Sequence, residues 1–297
     1  MQGTLVAGVR RFNRTVTQRV GALNDAYLSR SRPLGQARVL WEIGEAGPEG
    51  CEVRALRSRL DLDSGYVSRL LRALEADGLI EVEADDGDGR VRTARLTEVG
   101  RTEREHLDRA SDELAEEILG PLNDKQRKRL VTAMADVERL LTASQVEIAV
   151  TDPRLPMARH CLDTYFEELA ERFEAGFDPT QGISANEADL TMPAGMLLVA
   201  TLHGEPVGCG ALKLDRAGGV AHIKRMWVDK SVRGLGLGRR LLAELEAQAV
   251  GQKARVLRLD TNRVLTEAVA MYRAAGFDEV ERFNDETYAH HWFEKVL

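Results

Sequence analysis

Residues 232–242 read VRGLGLGRRLL, which sets Gly234, Gly236 and Gly238 at every second position directly ahead of an apolar, arginine-bearing helical pattern. Glycine lets a backbone turn tightly and approach a ligand closely, and the first amides of a helix point at whatever lies beyond its N-terminus. The positive end of the helix dipole adds to that attraction, so the arrangement suits a phosphate. Arg233 and Arg239 bring further positive charge. The loop by itself does not say which phosphate it holds, because dinucleotides, nucleoside triphosphates and coenzyme A share the same diphosphate chemistry.

The flanks narrow the choice. A dinucleotide site needs GxGxxG in a short turn straight after a buried strand, with an acid about 20 residues further on. Asp260, closing the strand-like VLRLD, meets the last condition. The glycines do not meet the first: after Gly234 and Gly236 the third required position is Arg239, and after Gly236 and Gly238 it is Leu241. The preceding strand, AHIKRMWV, carries Lys224 and Arg225, which a strand covered on both faces would not tolerate, and DKSVR separates it from the glycines. A triphosphate loop fails because no GKS or GKT follows. What remains is Arg233, two residues, Gly236, one residue, Gly238.

Other residues near this loop are capable of chemistry. Tyr272 in EAVAMYRAAGF can donate a phenolic proton, or it can be a packed aromatic beside Phe277. His222, two residues before Lys224, titrates near neutrality and can serve as a base, or it can be structural. His290 and His291 fall on the last predicted strand, where adjacent residues face opposite sides, so they form no joint metal site and no metal is expected. Strands and helices alternate throughout this half. VEIAV is strand-like, residues 157–173 are helical, and strands follow near 196–202, 207–214 and 221–228. Between the helix and the next strand, EAGFDPTQGISANEADLTMPAG has little periodicity and reads as a substrate-side loop.

The run from AHIKRMWV through the glycine loop to MYRAAGF resembles the GNAT acetyltransferases. The resemblance implies an α+β fold whose mixed, mostly antiparallel sheet is splayed between its fourth and fifth strands, with acetyl-CoA as co-substrate in the gap. It implies that the Met226, Trp227 and Val228 segment lies along the pantetheine arm, with a backbone N–H polarising the thioester oxygen. It places Arg233, Gly234, Leu235, Gly236, Leu237, Gly238 and Arg239 on the diphosphate, Asn262 on the cofactor or an ordered water, and Tyr272 as the acid that protonates the departing thiolate. Relatives often carry a glutamate where this chain has His222. The implied reaction is direct attack of an amine on the thioester, with a small molecule or amino acid derivative as the expected acceptor and a protein lysine as the alternative.

The first half is helical with one interruption. Val9, Phe12, Val16, Val20 and Leu23 form an amphipathic stripe, expected to be buried, and helices follow over about 34–45 and 52–60. In DSGYVSRLLRALEADGLI, Asp63 fits an N-cap, Val67, Leu70, Leu71 and Leu74 form the apolar face, and Gly78 stops the helix. The opposite face shows Ser64, Ser68, Arg69 and Arg72, side chains that reach phosphates and guanine edges in a major groove, although such a face can also be merely solvated. LIEVEADDGDGRVRTARLT then alternates around a DGDG turn, a hairpin with Arg90, Arg92 and Arg95 on its returning arm. Asp85, Asp86 and Asp88 sit at its tip, where phosphates would repel them, so the arginines are the expected contacts. Together the segments resemble the MarR family of winged-helix regulators over residues 1–145, which implies a mainly α winged helix-turn-helix domain binding a double-stranded DNA operator as a homodimer. Two further helices, about 97–120 and 123–142, carry Leu107, Leu114, Ile118, Leu130, Met134, Val137 and Leu141, more apolar surface than one small domain needs.

At 297 residues the chain has room for two cores, here residues 1–145 and 146–297. Its net charge of −7 argues against a protein coated in nucleic acid or held on anionic lipid, while leaving room for a local basic face. Cys51, Cys161 and Cys209 show no paired spacing and read as reduced thiols. No apolar run reaches membrane-spanning length, and MQGTLVAGVRRFNRTV lacks the core of a signal peptide, so a cytoplasmic protein without a membrane partner is expected. Three functions fit: a regulator that is also an acetyl-CoA-dependent N-acetyltransferase, a non-catalytic regulator whose second domain senses acetyl-CoA or a small amine, or an acetyltransferase whose first half only dimerises it.

Overall fold

The computed structural model describes residues 2–23, 32–84, 91–173, 176–178, 181 and 185–297. The chain divides into two compact units, Met1–Ala135 and Asp136–Leu297. The first contains α1 (Gln2–Arg19), α2 (Leu34–Glu45), β1 (Cys51–Glu52), α3 (Val53–Leu60), α4 (Ser64–Ala76), β2 (Ile80–Ala84), β3 (Arg92–Leu96) and α5 (Glu98–Leu119). The helix α6 (Asp124–Ser144) spans the boundary between the units.

In the first unit the expected stripe of α4 is buried, and Val67, Leu70, Leu71 and Leu74 join Leu40, Ile43, Leu56 and Ala94 in one core. Asp63 caps α4, its Oδ1 accepting from the Tyr66 amide at 2.8 Å. Thr97 Oγ1 donates to the Gly78 carbonyl at 2.7 Å and accepts from the Gly100 amide at 3.0 Å, tying the stop of α4 to the start of α5. The strands lie in the order β1-β3-β2, and the two-residue β1 is too short for any periodicity to announce it. The hairpin tip, with Asp85, Asp86, Asp88 and Arg90, lies outside the described residues.

The first helix corrects an expectation. It forms where its period places it, but its stripe is not buried in the single chain: Val9 is 60 %, Phe12 46 % and Val16 38 % exposed. A lone helix has no core of its own, so its apolar face needs a covering surface that the described residues of one chain do not supply. Likewise α6 has no buried residue, and Val131, Met134, Leu140 and Leu141 are exposed.

The second unit holds β4 (Glu147–Thr151), α7 (Pro156–Arg172), β5 (Gly195–Leu202), β6 (Glu205–Asp215), β7 (Val220–Val228), α8 (Leu237–Gly251), β8 (Val256–Thr261), α9 (Thr266–Ala274), β9 (Asp278–Val280) and β10 (His291–Val296). The last strand starts at His291, so His290 lies just outside it. One seven-stranded sheet runs β4-β5-β6-β7-β8-β10-β9. On one face α8 buries Leu241, Leu242 and Leu245 with Leu212, Ile223 and Leu259; a separate cluster joins Ala158 and Cys161 of α7 to Leu197, Val199 and Ala211. All three cysteines are buried and unbridged.

Two irregularities prepare the site. Among the described residues only β7 and β8 pair in parallel, and only over Val220–His222 against Val256–Arg258, after which the strands separate. Opposite Gly210 of β6, β7 carries an extra residue, Arg225–Met226, and Arg225 takes φ +57. Such a bulge re-aims the residues that follow it.

Candidate functional site

The gap between β7 and β8 is where the glycine loop meets the sheet. Asp229 Oδ1 accepts from the Ser231 amide at 2.8 Å and shapes the 3-10 turn Lys230–Val232 that leads into it. Gly234 and Gly236 then take φ +82 and +78, a region that any Cβ disfavours. Gly236 is the N-cap of α8, and the first helical hydrogen bond runs from Arg240 N to Gly236 O at 3.1 Å. The amides of Leu237, Gly238 and Arg239 therefore have no acceptor within the helix and are left for an anion at its N-terminus.

Arg233 is held in a way that spacing did not reveal. Its Nη2 donates to Glu168 Oε2 at 2.5 Å and its Nε to the Val228 carbonyl at 3.0 Å. Glu168, on α7, also accepts from Trp227 Nε1 at 3.0 Å and from Arg172 Nη1 at 3.2 Å. One carboxylate thus fastens the loop, the bulged strand and the helix together, while the Arg233 side chain keeps 41 % of its surface exposed.

This assembly encloses a cavity of about 580 Å³. Of the residues expected on the cofactor, all but Leu235 and Asn262 line it. Leu235 packs against the core instead. Asn262, 8 % exposed, lines a smaller adjoining cavity; its Nδ2 donates to Tyr288 O at 2.7 Å and its Oδ1 accepts from Val264 N at 3.1 Å, so its amide is committed to the chain itself.

Tyr165, Leu169, Met226 and Tyr272 line both cavities. Tyr272 is 5 % exposed and packs against Phe277 and Phe293, each ring centroid 6.0 Å away. Burial pushes its phenol far above its ordinary value, so the proton stays on the oxygen at neutral pH. Among the described residues the hydroxyl makes no hydrogen bond. Among the described residues the wholly enclosed side-chain polar atoms without a hydrogen-bond partner are Arg32 Nε and Arg104 Nε; the Tyr272 hydroxyl is not one of them, and Tyr272 lines both cavities.

His222 is elsewhere. It sits where β7 is still paired to β8, edge-on to Phe283 at 5.9 Å, and lines neither cavity. Burial, then the charge of Lys224, lowers its pKa. The structure does not bring His222 and Tyr272 together at the site. Among the described residues no three side chains of metal-ligating type converge.

In the first unit the face of α4 opposite the core presents Ser64, Arg69 and Arg72 to solvent, with Ser68 half-buried. The Arg69 guanidinium lies 5.4 Å from the Tyr66 ring centre, and Arg72 Nε donates to Ser68 O at 3.1 Å. Arg92 is exposed at the start of β3, whereas Arg95 is paired with Glu83 at 2.8 Å. Arg90 falls outside the described residues. Among the described residues no helix is long and apolar enough to cross a membrane.

Comparison with known proteins adds an independent line. The model of the Acetyltransferase (GNAT) family matches residues 162–277, and that of the MarR family matches residues 29–91. An IAA acetyltransferase of Azospirillum brasilense is 40% identical over 88 residues, covering 30% of this chain and 58% of that protein. An uncharacterized HTH-type transcriptional regulator of Bacillus subtilis, YdgJ, is 28% identical over 80 residues, covering 27% of this chain and 49% of that protein. The chain thus spans about half the length of the curated relatives it matches. A solved putative acyl-CoA N-acyltransferase from Klebsiella pneumoniae is 27% identical, with TM-score 0.40 over 51% of this chain and 97% of its own. By the two family matches, residues 29–91 are similar to the MarR family and residues 162–277 to the GNAT acetyltransferase family.

Proposed function

We propose that the second unit transfers an acetyl group from acetyl-CoA to the amine of a small molecule, and that the first binds operator DNA. The observation that carries the catalytic reading is the Tyr272 hydroxyl, unpaired at the junction of two cavities, one of them walled by the glycine loop. Acetyl-CoA fits the larger cavity by its donors: the α8 amides and Arg239 for the diphosphate, and the edge of β7 beyond His222, unpaired by β8, for the pantetheine. The smaller cavity then receives the amine, and the Tyr272 phenol, kept neutral by burial, supplies the proton needed by the leaving sulfur. A backbone N–H of the Met226–Val228 segment supports the developing charge on the carbonyl oxygen. The expected setting is the cytoplasm, where operator DNA and acetyl-CoA are both present.

Tyr272→Phe tests this reading. It removes one oxygen from a packed ring, so calorimetric binding of acetyl-CoA persists while amine-dependent thiol release falls by about 100-fold. Undiminished turnover would sink the acid role, and absence of turnover in the parent protein across a panel of free amines would leave a sensor of acetyl-CoA in its place.

For the first unit, the exposed Arg69 and Arg72 of α4 support groove contact, Ser64 and Ser68 share that helix, and Arg90 and Arg92 of the hairpin sequence complete the proposed contact set. Replacing Arg69 and Arg72 with Ala should weaken operator binding and reduce the slope of log K against log salt by about two. An unchanged slope would show that this face does not contact phosphate. The exposed stripes of α1 and α6 support a homodimer formed through these helices.

A further inference from the structure

The smaller cavity, of about 110 Å³, has walls of two kinds. One is aromatic. Phe173, Phe177 and Tyr288 form a cluster with centroid separations of 4.9 to 5.7 Å. Tyr288 is anchored at both ends, its hydroxyl accepting from Asp178 N at 2.9 Å and its carbonyl from Asn262 Nδ2 at 2.7 Å. The volume is of the same order as the roughly 150 Å³ that holds a benzene ring in an apolar interior.

The other wall is ionic. Asp260, one residue before the end of β8, has a side chain 7 % exposed, and Oδ2 accepts from Lys224 Nζ at 2.7 Å and Asn284 Nδ2 at 3.0 Å. Among the described residues no hydrogen bond reaches Oδ1. Nor is Oδ1 among the enclosed side-chain atoms of the described residues that lack a hydrogen-bond partner, and Asp260 lines the cavity. The charged and titratable neighbours are His222, Lys224 and Arg225 on β7, Arg258 on β8 with its partner Glu294 on β10, Tyr165 on α7, Tyr272 on α9, and Glu286 before β10. Burial first raises Tyr165 to about 12, and the Asp260 charge adds to that rise, as it does for Tyr272.

Resting on the acetyl-transfer reading above, we propose that this cavity takes a primary amine borne on an aromatic body, ring against Phe173, Phe177 and Tyr288 and nitrogen on Asp260 Oδ1, which accepts the amine's proton. The anchored Oδ2 fixes the carboxylate, and the cationic Lys224 and Arg225 favour the uncharged form of an amine bound beside them. One N–H proton of the ammonium passes to Oδ1. The nitrogen then bonds the acyl carbon as the carbon–sulfur bond breaks, and the Tyr272 hydroxyl proton goes to the sulfur. The second nitrogen proton returns to the Tyr272 oxygen, and Asp260 sheds its proton to solvent. The products are the amide, the thiol and one proton.

The test uses the full chain, Asp260→Asn, and a double variant, Lys224→Gln with Asp260→Asn, which leaves no unpaired buried charge if the single variant melts. Acetyl-CoA is titrated by calorimetry, then 2-phenylethylamine is titrated onto protein loaded with CoA. Thiol release is followed with 2-phenylethylamine and with phenylhydrazine, a weak base that is already neutral at the assay pH. Both variants should bind 2-phenylethylamine at least about 10-fold more weakly and lose about 100-fold or more in kcat/KM for it. They should lose less than about 10-fold with phenylhydrazine, and their rate with 2-phenylethylamine should rise with pH as the free amine becomes available. Equal losses on the two amines, an unchanged pH profile, or acetyl-CoA binding without 2-phenylethylamine binding would overturn this inference alone. Absence of acetyl-CoA binding would remove the transfer reading together with it.

Discussion

The His222 imidazole and the Asp260 carboxylate lie on the neighbouring strands β7 and β8, yet the cavity reaches only the second. His222 is packed against Phe283, and burial, then Lys224, holds its pKa below the ordinary 6.5. A base whose folded-state pKa lies below its unfolded value contributes stability that is complete above the unfolded value and lost as pH falls through the folded one. The loss therefore begins below about pH 6.5 and deepens with acid. In urea titrations His222→Gln should lose less stability than the parent between pH 7 and pH 5, while turnover stays within about twofold. A large fall in turnover would return His222 to the reaction. The type of this residue was legible in the sequence, but its distance from the chemistry was not, since one strand can expose one end to a cleft and bury the other.

At the scale of elements, the loop before α8 depends on two backbone conformations and one carboxylate. Gly236 at φ +78 is both the N-cap and the turn that lifts the next three amides clear. A β-branched side chain there is strained by about 1–3 kcal/mol, even though nothing lies within 4 Å of the added Cβ. Gly236→Val should thus lower the urea midpoint modestly and weaken acetyl-CoA at least about tenfold by calorimetry, since the loop has to re-fold around the new residue. Retained affinity would show that these amides do not hold the diphosphate. The glycines were readable because the requirement is local. Glu168 was not, because it acts on Arg233 across 65 positions of sequence.

At the scale of the whole molecule, the apolar stripes of α1 and α6 are unfinished in one chain. Leu140 is 70 % and Leu141 59 % exposed, as are Val9 and Phe12 on α1 to 60 % and 46 %. A second copy is the cover that the proposed operator binding calls for, since a two-fold site pairs with a two-fold protein. Sedimentation should give a dimer for the parent. Phe12→Glu combined with Leu141→Glu should raise the dimer dissociation constant by about 100-fold or more without loss of helicity, because neither side chain is part of a monomer core. A parent that sediments as a monomer at micromolar concentration would refute this arrangement.

The sequence by itself determined what is written within a few residues of itself: the 3.6-residue stripe of α4 with its Asp63 cap, the positive-φ glycines before α8, the strand on either side of the loop, and the helical character of α1. Periodicity and capping are short-range, so they survive without knowledge of the partner. Only the tertiary structure decided that β7 and β8 part after His222, that Glu168 secures Arg233 and Trp227, that Asp260 lines a cavity, and that the α1 stripe stays uncovered among the described residues. Each of these depends on which distant surfaces meet, and pairings across tens of residues leave no period in the chain for a reader to find.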